Sequence, residues 1–484
     1  MIGQLERASS LPPTPSSIGR GGEEPSDANS SKTLEAVIPS HAQAPASTGK
    51  LKVAVVFHRL GPYHEARLSA ATRVVSLMPI QGSASDNTYA WDPLPPSDEF
   101  QLQTLFPGDG MQSSPSPPQE ERAGERRQSQ VQSQDVSAQE TQNRLYLALD
   151  QTSPEVVAVP GWSSRLALAA LTWCLRTGTP ALMMSETTAW DETRSGVKEW
   201  IKRRIIRLCS AGLAGGNPHR DYLAALGMPK DRIFLGYDAV DNEYFATKVE
   251  ESRKQKVESR DKHGLPDNYF LASARFIEKK NLPRLLHAYA LYREKAESRK
   301  LKTDIWDLVL LGDGPLRETL NSQLSTLLSL ATEDGSALKL QPHVRMPGFK
   351  QYPELPAYYG LARAFIHAST TEQWGLVVNE AMASGLPVLV SNRCGCAPDL
   401  VQEGVNGFTF DPYDVEQIAE LMLKLSTLNS QLSTMGRASE RIIANWGPER
   451  FAQGLKAAAE CAMAVGAKKA GLLDRLLLRA LSLR

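Results

Sequence analysis

The sequence predicts an α/β protein with two open, mainly parallel sheets, each forming a Rossmann-like domain, that face each other across a cleft. Three observations support this fold class. Short apolar runs alternate with helix-like segments, as in buried parallel strands joined by crossover helices. The alternation pauses at a Lys- and Glu-rich stretch near residues 246–264 and then restarts. A length of 484 residues with 42% hydrophobic content suffices for two cores.

The first set of elements begins abruptly at the apolar run Lys52–Phe57. Residues 1–49 are rich in Ser, Pro and Gly and poor in aromatic residues, so they are predicted to be a disordered leader. A Gln-, Ser- and Pro-rich segment near 108–140 is predicted to be a long insertion. Later strands and helices are predicted at Glu155–Val159, Leu166–Leu175, Pro180–Met184, Val197–Leu208, Gly212–Gly216 and Arg232–Gly236.

The second set follows the charged stretch, which is interpreted as an interdomain connection. Its candidate strands are Tyr269–Ala274, Trp306–Leu311, Lys339–Met346, Ala364–Ala368 and Val388–Ser391. The predicted domains are therefore 50–245 and 246–445, and we expect residues 446–484 to form helices that pack back on the first domain and touch a membrane. In such sheets, ligands bind in the crevice at the carboxyl ends of the strands.

Composition excludes several classes of protein. Lys plus Arg and Asp plus Glu both number 54, so the global charge gives no support for a nucleic-acid partner.

Five cysteines without a secretory signal indicate a reducing compartment. Cys394 and Cys396 have no second Cys or His pair nearby, so we expect no metal site. No run is long enough to span a membrane, so a cytoplasmic location is expected.

Two cations lie in the turn that follows the strand Tyr269–Ala274. Arg275 and Lys280 precede a helix rich in Leu and Ala, so they and the positive end of the helix dipole can neutralise a diphosphate. A solvated helix start is the alternative interpretation. Further turns follow two other predicted strands, at Gly312 and Gly314 and at Gly348 and Phe349, where turn chemistry alone also explains the residues.

Two glutamates, Glu372 and Glu380, are eight positions apart and follow the strand Ala364–Ala368. The first is predicted in a loop and the second in the next helix, so both can project into one crevice. Gly375 and Leu376 lie between them and would begin that helix, with free backbone N–H groups directed at a phosphate. A helix start with an acidic first turn is the alternative.

Together these motifs resemble the group 1 glycosyltransferases, the retaining family 4 with GT-B architecture. Glu372 and Glu380 match its E-x7-E element, and Arg275 and Lys280 match its R-x4-K element. The resemblance implies that Arg275 and Lys280 bind the donor diphosphate with the Gly375 and Leu376 amides. It also implies that Glu380 holds the ribose and that Glu372 holds the transferred sugar. The donor-side turns would include Gly312 and Gly314, and the turn from Met346 to Phe349, which contains Gly348, would meet the base.

Two departures from the family pattern affect the expected pocket. The usual Gly-Gly-x-Pro-Glu loop reads Gly395 to Asp399 here, which implies a differently shaped sugar pocket. Where many members have a histidine, Ser185-Glu186-Thr187 follows the predicted strand Pro180–Met184, so Glu186 is a candidate for the acceptor or sugar side. The loop after the first strand adds His58, Gly61 and His64 as candidates on that side, with surface or structural histidines as the alternative.

Two helical segments are both basic and apolar. The predicted helix Arg194–Leu208 and the last 18 residues combine Leu, Ile, Val and Trp with Lys and Arg, a pattern suited to an anionic bilayer surface. The alternatives are a helix with a solvated basic face and a frayed or self-associating tail. We therefore expect a cytoplasmic protein with peripheral membrane contact.

These features predict a retaining transferase that moves a hexosyl group from a nucleotide-diphosphate sugar to a glycan or lipid-linked acceptor, as in the synthesis of a cell-envelope polysaccharide. No further cofactor is expected, and the co-substrate is expected to be a UDP- or GDP-sugar. Transfer to a soluble sugar, as in glycogen or sucrose synthesis, and a non-catalytic binding protein are the alternatives. A dinucleotide-dependent dehydrogenase is disfavoured because no G-x-G-x-x-G follows a predicted strand.

Overall fold

The computed structural model describes residues 49–84, 91–92, 94–107, 137–299, 305–327 and 343–482. Within these ranges the chain forms two parallel sheets, one of seven and one of six strands, as the predicted fold class requires. Apart from Gly49, the predicted leader lies outside the described residues, as does the predicted insertion from residue 108 to residue 136.

The first sheet has the strand order β3-β2-β1-β4-β5-β6-β7. Its strands are β1 (Lys52–Phe57), β2 (Ser76–Ser83), β3 (Gln103–Phe106), β4 (Val156–Pro160), β5 (Ala181–Ser185), β6 (Ala211–Ala214) and β7 (Ile233–Leu235). The helices between them are α1 (Pro62–Thr72), α2 (Ala138–Thr152), α3 (Arg165–Thr177), α4 (Gly196–Ile206) and α5 (Asn217–Ala225). We call this part the N-lobe.

The second sheet has the order β10-β9-β8-β11-β12-β13. Its strands are β8 (Tyr269–Ser273), β9 (Asp307–Leu311), β10 (Val344–Gly348), β11 (Ala364–His367), β12 (Val388–Ser391) and β13 (Gly407–Phe410). The helices α6 and α7 connect the two lobes and are described below. The C-lobe helices are α8 (Leu282–Ser298), α9 (Arg317–Leu327), α10 (Leu355–Leu361), α11 (Leu376–Ala383), α12 (Ala397–Leu400), α13 (Val415–Thr427) and α14 (Asn429–Ile443). We call this part the C-lobe.

In both sheets the first strand in the chain lies inside the sheet, between two neighbours reached in opposite directions. β1 pairs with β2 and β4, and β8 pairs with β9 and β11. These positions are topological switch points, where loops on either side of a crevice diverge and leave room for a ligand. The loops that follow β1, β8 and β11 are therefore the ones best placed to form a site.

The charged stretch between the lobes is helical, forming α6 (Asn242–Lys254) and α7 (Lys256–His263). Asp241 caps α6 by accepting a hydrogen bond from the Tyr244 backbone N–H at 2.9 Å. Phe245 and Val249 are fully buried against C-lobe residues, whereas most charged side chains of the stretch are exposed. Arg253 also binds the C-lobe, because it donates hydrogen bonds to the Gly360 and Ser384 carbonyls. Two buried apolar positions and one arginine thus attach this connecting segment to the C-lobe.

After the C-lobe the chain forms two more helices, α15 (Pro448–Val465) and α16 (Leu472–Ser482). On α15, Phe451 and Leu455 are buried in the N-lobe core with Val53 and Val55 of β1. On α16, Leu478 is buried in the core on the other face of the same sheet. The C-terminal helices therefore return to the N-lobe and cover both of its faces.

Candidate functional site

The predicted diphosphate-binding residues lie where β8 and β11 end. Lys280 and Glu372 form an ion pair in which both side chains are largely buried, at 12% and 14% exposure. The His367 Nε2 atom, at the end of β11, is 3.3 Å from the same carboxylate oxygen. Burial alone would raise the pKa of Glu372, but Lys280 and His367 together hold it well below its usual range. Glu372 is therefore an ionised carboxylate that holds a lysine at the strand ends.

Arg275 is partly buried in the turn directly after β8. That turn interlocks with the glycine turn after β9: Phe276 donates its backbone N–H to the Asp313 carbonyl at 2.8 Å. A Cβ on Gly312, whose φ is +123°, would lie 1.8 Å from the Ala274 carbonyl oxygen. Gly312 is therefore required for this close approach.

Gly314 has the same kind of contact with the arginine turn. Its φ is +153°, and a Cβ there would lie 2.7 Å from the Phe276 carbonyl oxygen. Both glycines thus position the turn that carries Arg275. Their predicted contact with a donor stays a prediction.

Gly375 begins α11 with a φ of +107°, and Leu376 is the first residue of the helix. The Trp374 side chain next to it is buried and donates its Nε1–H to the Asn379 side chain at 2.9 Å. The backbone therefore turns sharply between Glu372 and the helix. The first N–H groups of a helix have no partner within it, so this end of α11 has the geometry of an anion site.

Glu380, one turn further along α11, has an environment unlike that of Glu372. It is fully buried, and its two oxygens accept hydrogen bonds from the hydroxyls of Tyr63 and Tyr359, each at 2.5 Å. Burial raises the pKa of Glu380 to about 7, although both phenols favour the ionised form. Tyr359 belongs to α10 and Tyr63 to α1 of the N-lobe, so the predicted ribose-binding carboxylate is held by both lobes. The sequence analysis identified neither tyrosine.

The turn at Gly348 and Phe349 completes the C-lobe side. Gly348 has a φ of +88° and accepts a hydrogen bond from the Gly312 backbone N–H at 3.0 Å. The Phe349 ring is 37% exposed and contacts the Trp91 ring of the N-lobe edge-on, with centroids 5.1 Å apart. An aromatic surface thus follows the turn that we predicted to meet the base.

The loop after β1 serves the start of α1. Gly61 precedes the helix, and its backbone N–H donates to His64 Nδ1 at 3.0 Å. The His64 ring packs on Phe57 with centroids 4.8 Å apart, and burial lowers the pKa of His64 well below its usual value. His64 therefore supports the helix start as a neutral ring, whereas His58 has an exposed side chain in the same loop.

Glu186 lies directly after β5 and faces a second carboxyl group, that of Asp238. Burial raises the pKa of Glu186, and the charge of Glu372 adds to this effect while the buried Arg67 opposes it. The pKa of Asp238 is likewise raised well above its usual value, first by burial and then by Glu186. Two neighbouring carboxyls, of which Asp238 is buried and Glu186 partly buried, favour sharing one proton. Sequence reasoning missed Asp238, which follows β7 without a recognisable motif.

The altered loop from Gly395 to Asp399 contacts the other lobe. Asp399 Oδ2 accepts a hydrogen bond from the Asn217 backbone N–H, at the start of α5, at 2.8 Å. His219 on the same helix lies with Nε2 2.8 Å from the Gln373 carbonyl oxygen. The acidic residue at position 399 thus binds a helix N-terminus across the cleft.

The two basic and apolar helices are joined at the surface of the N-lobe. Arg204 of α4 pairs with Asp474 of α16 at 2.8 Å. Next to this pair, Trp200 is 45% exposed, and Leu472 and Leu476 of α16 are 77% and 55% exposed. Lys202 is not part of the exposed basic face that the helix pattern predicted. Its side chain is buried and donates a hydrogen bond to Glu192 at 2.6 Å. In the described ranges, no helix is long and apolar enough to cross a membrane.

Residues 255–442 match the family model described as glycosyl transferases group 1. The chain is 27% identical over 264 residues to mannosylfructose-phosphate synthase of Agrobacterium fabrum, which covers 53% of this chain and 54% of that protein. It is 30% identical over 218 residues to sulfoquinovosyl transferase SQD2 of Arabidopsis thaliana, covering 43% and 35%. The chain thus matches about half or less of these relatives' length.

The fold is similar to that of solved glycosyltransferases. The crystal structure of HepE of Anabaena, in complex with UDP, aligns over 84% of this chain and 98% of that one, with a TM-score of 0.58 and 14% identity. Because the alignment covers 84% of the chain, the similarity includes both parallel sheets. Residues 255–442 are thus similar to group 1 glycosyl transferases, within a chain that has the GT-B fold.

Proposed function

We propose that this protein transfers a hexosyl group from a nucleotide-diphosphate sugar to a glycan or lipid-linked acceptor, with retention of the anomeric configuration. The observation that carries the proposal is the buried Lys280–Glu372 ion pair, which lies beside the start of α11 at the strand ends of a group 1 domain. A cation, a carboxylate and a helix N-terminus at one crevice provide partners for a diphosphate and for sugar hydroxyls.

The proposed chemistry is stabilisation of the leaving group. When the bond between the anomeric carbon and the diphosphate breaks, negative charge grows on the phosphate oxygens. Lys280, Arg275 and the N–H groups that follow Gly375 would stabilise that charge more in the transition state than in the bound donor. These groups supply the positive charge themselves, so the proposal includes neither a metal ion nor a further cofactor.

Glu372 and Glu380 would divide recognition of the donor between them. Glu372 is ionised, so it can accept hydrogen bonds from hydroxyls of the transferred sugar while it holds Lys280. Glu380 lies one helical turn deeper and would accept from the ribose, and the turn at Phe349 would meet the base. UDP and GDP are the nucleotides to test first, and UDP is supported by the likeness to a fold solved with UDP.

A donor screen by nucleotide release tests this function. Purified protein is incubated with UDP- and GDP-sugars, with lipid extracts or soluble sugars as acceptors, and the anomeric configuration of the product is determined by NMR. Release that depends on a lipid or glycan acceptor, with a retained anomer, is the expected result. An inverted product, or binding without any release, would contradict it.

A soluble acceptor is the second candidate function. It is favoured by the similarity to mannosylfructose-phosphate synthase, whose name denotes a small phosphorylated sugar product. The same screen separates the two candidates, because release would then be accelerated by a sugar or sugar phosphate and not by lipid extract.

We also propose that the protein is cytoplasmic and contacts an anionic membrane through α4 and α16. Exposed apolar side chains next to exposed arginines, here Arg475 and Arg479, suit the boundary between headgroups and acyl chains. Replacing Leu472 and Leu476 with Ser should lower partitioning onto vesicles that contain phosphatidylglycerol by about a hundredfold or more, since each leucine loses most of its transfer free energy of about 1.5–3 kcal/mol. Nucleotide affinity should not change.

Vesicle co-sedimentation measures this effect. The matched control is Val257→Ser on α7, which also removes an exposed apolar side chain, 74% exposed in the folded protein. Vesicles of phosphatidylcholine alone should bind the wild-type protein more weakly, because they do not attract the arginines. Equal partitioning of the wild-type and the double-leucine proteins would remove the membrane contact from the proposal.

A further inference from the structure

Glu380 is bound from both lobes. Its side chain is 0% exposed, and each carboxylate oxygen accepts one phenol hydroxyl at 2.5 Å. Tyr359, which is also 0% exposed, is part of the C-lobe core. Tyr63 lies 317 positions before Glu380 in the chain and reaches it from α1 of the N-lobe. One of the two partners is therefore internal to the lobe that carries Glu380, and the other crosses the cleft.

The Tyr63 ring is fixed by other aromatic rings. It contacts Tyr352 edge-on at 5.8 Å and Trp91 at 6.2 Å between centroids. Trp91 in turn contacts Phe349, the residue predicted to meet the base. Such edge-on pairs stabilise the ring beyond the burial of its area. The Tyr63 hydroxyl is thus held over Glu380 by a cluster that spans the whole predicted nucleoside position.

A ribose hydroxyl and the Tyr63 hydroxyl are the same kind of donor for the same acceptor. With Glu380 fully covered, no ribose can reach it until one of the present partners leaves. Tyr359 cannot leave without opening the C-lobe core, whereas Tyr63 is withdrawn by any separation of the lobes. The Tyr63 bond is therefore the one that an arriving nucleotide must replace.

We propose that Tyr63 is a donor-specificity residue contributed by the N-lobe, which occupies the Glu380 oxygen that a nucleotide ribose binds. This inference rests on the proposed function, because that function assigns the ribose to Glu380. Binding of a ribose-bearing donor exchanges the phenol for a ribose hydroxyl, whereas a nucleotide without these hydroxyls leaves the Tyr63 hydrogen bond in place. The exchange therefore lowers the apparent affinity for donors that have a ribose diol and does not change it for molecules without one.

The test is the variant Tyr63→Phe, which removes the hydroxyl and keeps the ring and its contacts. Calorimetric titration measures the affinity of wild-type and variant protein for UDP, GDP and their 2′,3′-dideoxy counterparts. The variant should bind the ribose-bearing nucleotide about tenfold more tightly, the size expected for one hydrogen bond to a carboxylate. Its affinity for the dideoxy nucleotide should equal that of the wild type. A thermal melt confirms that the variant is folded.

The matched control is Tyr244→Phe. The Tyr244 ring stacks on Tyr352 at 4.9 Å in the same cluster, so this variant also removes a phenol hydroxyl beside the predicted nucleoside position. It should leave all four affinities unchanged. A merely structural effect of losing a tyrosine hydroxyl would appear in both variants and with both kinds of nucleotide.

The outcomes separate this inference from the function on which it rests. If wild-type protein binds UDP or GDP and Tyr63→Phe binds it equally or more weakly, the inference is wrong and the proposed donor stands. An equal gain for ribose and dideoxy nucleotides also overturns it. If neither protein binds either nucleotide, the proposed donor class is wrong and the inference fails with it.

Discussion

Glu372 and Glu380 have the same side chain, lie eight positions apart and follow the same strand, yet their surroundings are opposite. Glu372 faces a lysine and a histidine, and its pKa is held below the usual range. Glu380 faces two phenols in a fully buried position, and its pKa is raised to about 7. The difference arises because phenols donate hydrogen bonds without bringing a positive charge, so they offset only part of the cost of burial.

This comparison indicates how one motif serves two tasks. An ionised carboxylate paired with a lysine keeps charge next to the predicted leaving group, where charge changes during the reaction. A carboxylate that is held by neutral donors and has a pKa near 7 suits the binding of neutral ribose hydroxyls, whose charge does not change during the reaction. The following predictions would break or sharpen this division.

The largest effect is expected for the cations next to Glu372. Lys280→Ala and Arg275→Ala should each lower kcat by about a hundredfold or more, the loss typical of removing one group that stabilises charge in the transition state. Steady-state nucleotide release measures this. Arg437→Ala, on α14 and bonded to Ser433 at 2.6 Å, removes a cation from the same lobe as a control and should have no effect. Near-normal rates in both cation variants would rule out the leaving-group mechanism.

The second effect is on the free energy of unfolding. Its dependence on pH should have opposite signs for the contributions of Glu380 and Glu372. Glu380 has a pKa of about 7 in the folded protein against a reference of 4.5, so its contribution is fully present below pH 4.5 and is lost as the pH rises through 7. Glu380→Gln should therefore gain about 3 kcal/mol of unfolding free energy relative to wild type between pH 4.5 and pH 8. For Glu372, whose pKa is lowered, stability is instead lost as the pH falls below 4.5.

Denaturant unfolding across this pH range measures both slopes. The difference between Glu372→Gln and wild type should be constant above pH 5 and should change only in acid, where the wild-type carboxylate is protonated and its ion pair is lost. Parallel curves for the wild type and both variants would mean that the contrast between the two carboxyls is wrong.

The sequence predicted the positions of the two glutamates but not the partners that make their surroundings different. The strands Lys52–Phe57 and Val388–Ser391 were predicted with the bounds they have, because short apolar runs between turn residues define a buried parallel strand. The strand β2 was not predicted, because Pro79 and Gly82 disfavour an interior strand. Arg275, Lys280 and Glu372 follow the strand ends as expected, since their position depends on local order along the chain.

The partners of the site residues depend on contacts that local patterns do not record. Tyr63 reaches Glu380 across 317 positions, and Asp399 reaches Asn217 across 182. Both pairs form because two separately folded sheets face each other, and nothing near either residue in the sequence marks its partner. The role of His64 was likewise open until the helix start beside it was known, since a histidine next to a glycine fits a surface or a site equally well.

The smallest effect is expected for Glu380, and it tests the division between binding and chemistry most directly. Glu380→Ala removes the proposed ribose acceptor and, with it, the bond to Tyr63. The ribose does not change during the reaction, so the apparent KM for the donor should rise about tenfold above that of Tyr63→Phe, in which the Glu380 oxygen is open to the ribose, while kcat stays within about threefold of wild type. Glu372→Ala should show the reverse pattern, with the larger loss in kcat, because it releases Lys280 from its position. In the Glu380→Ala background, Tyr63→Phe should no longer change donor affinity, since the oxygen for which phenol and ribose compete is gone. Steady-state kinetics of the two single variants and of the double variant measure all three quantities. A fall in kcat for Glu380→Ala as large as that for Glu372→Ala would mean that both glutamates act on the reacting sugar.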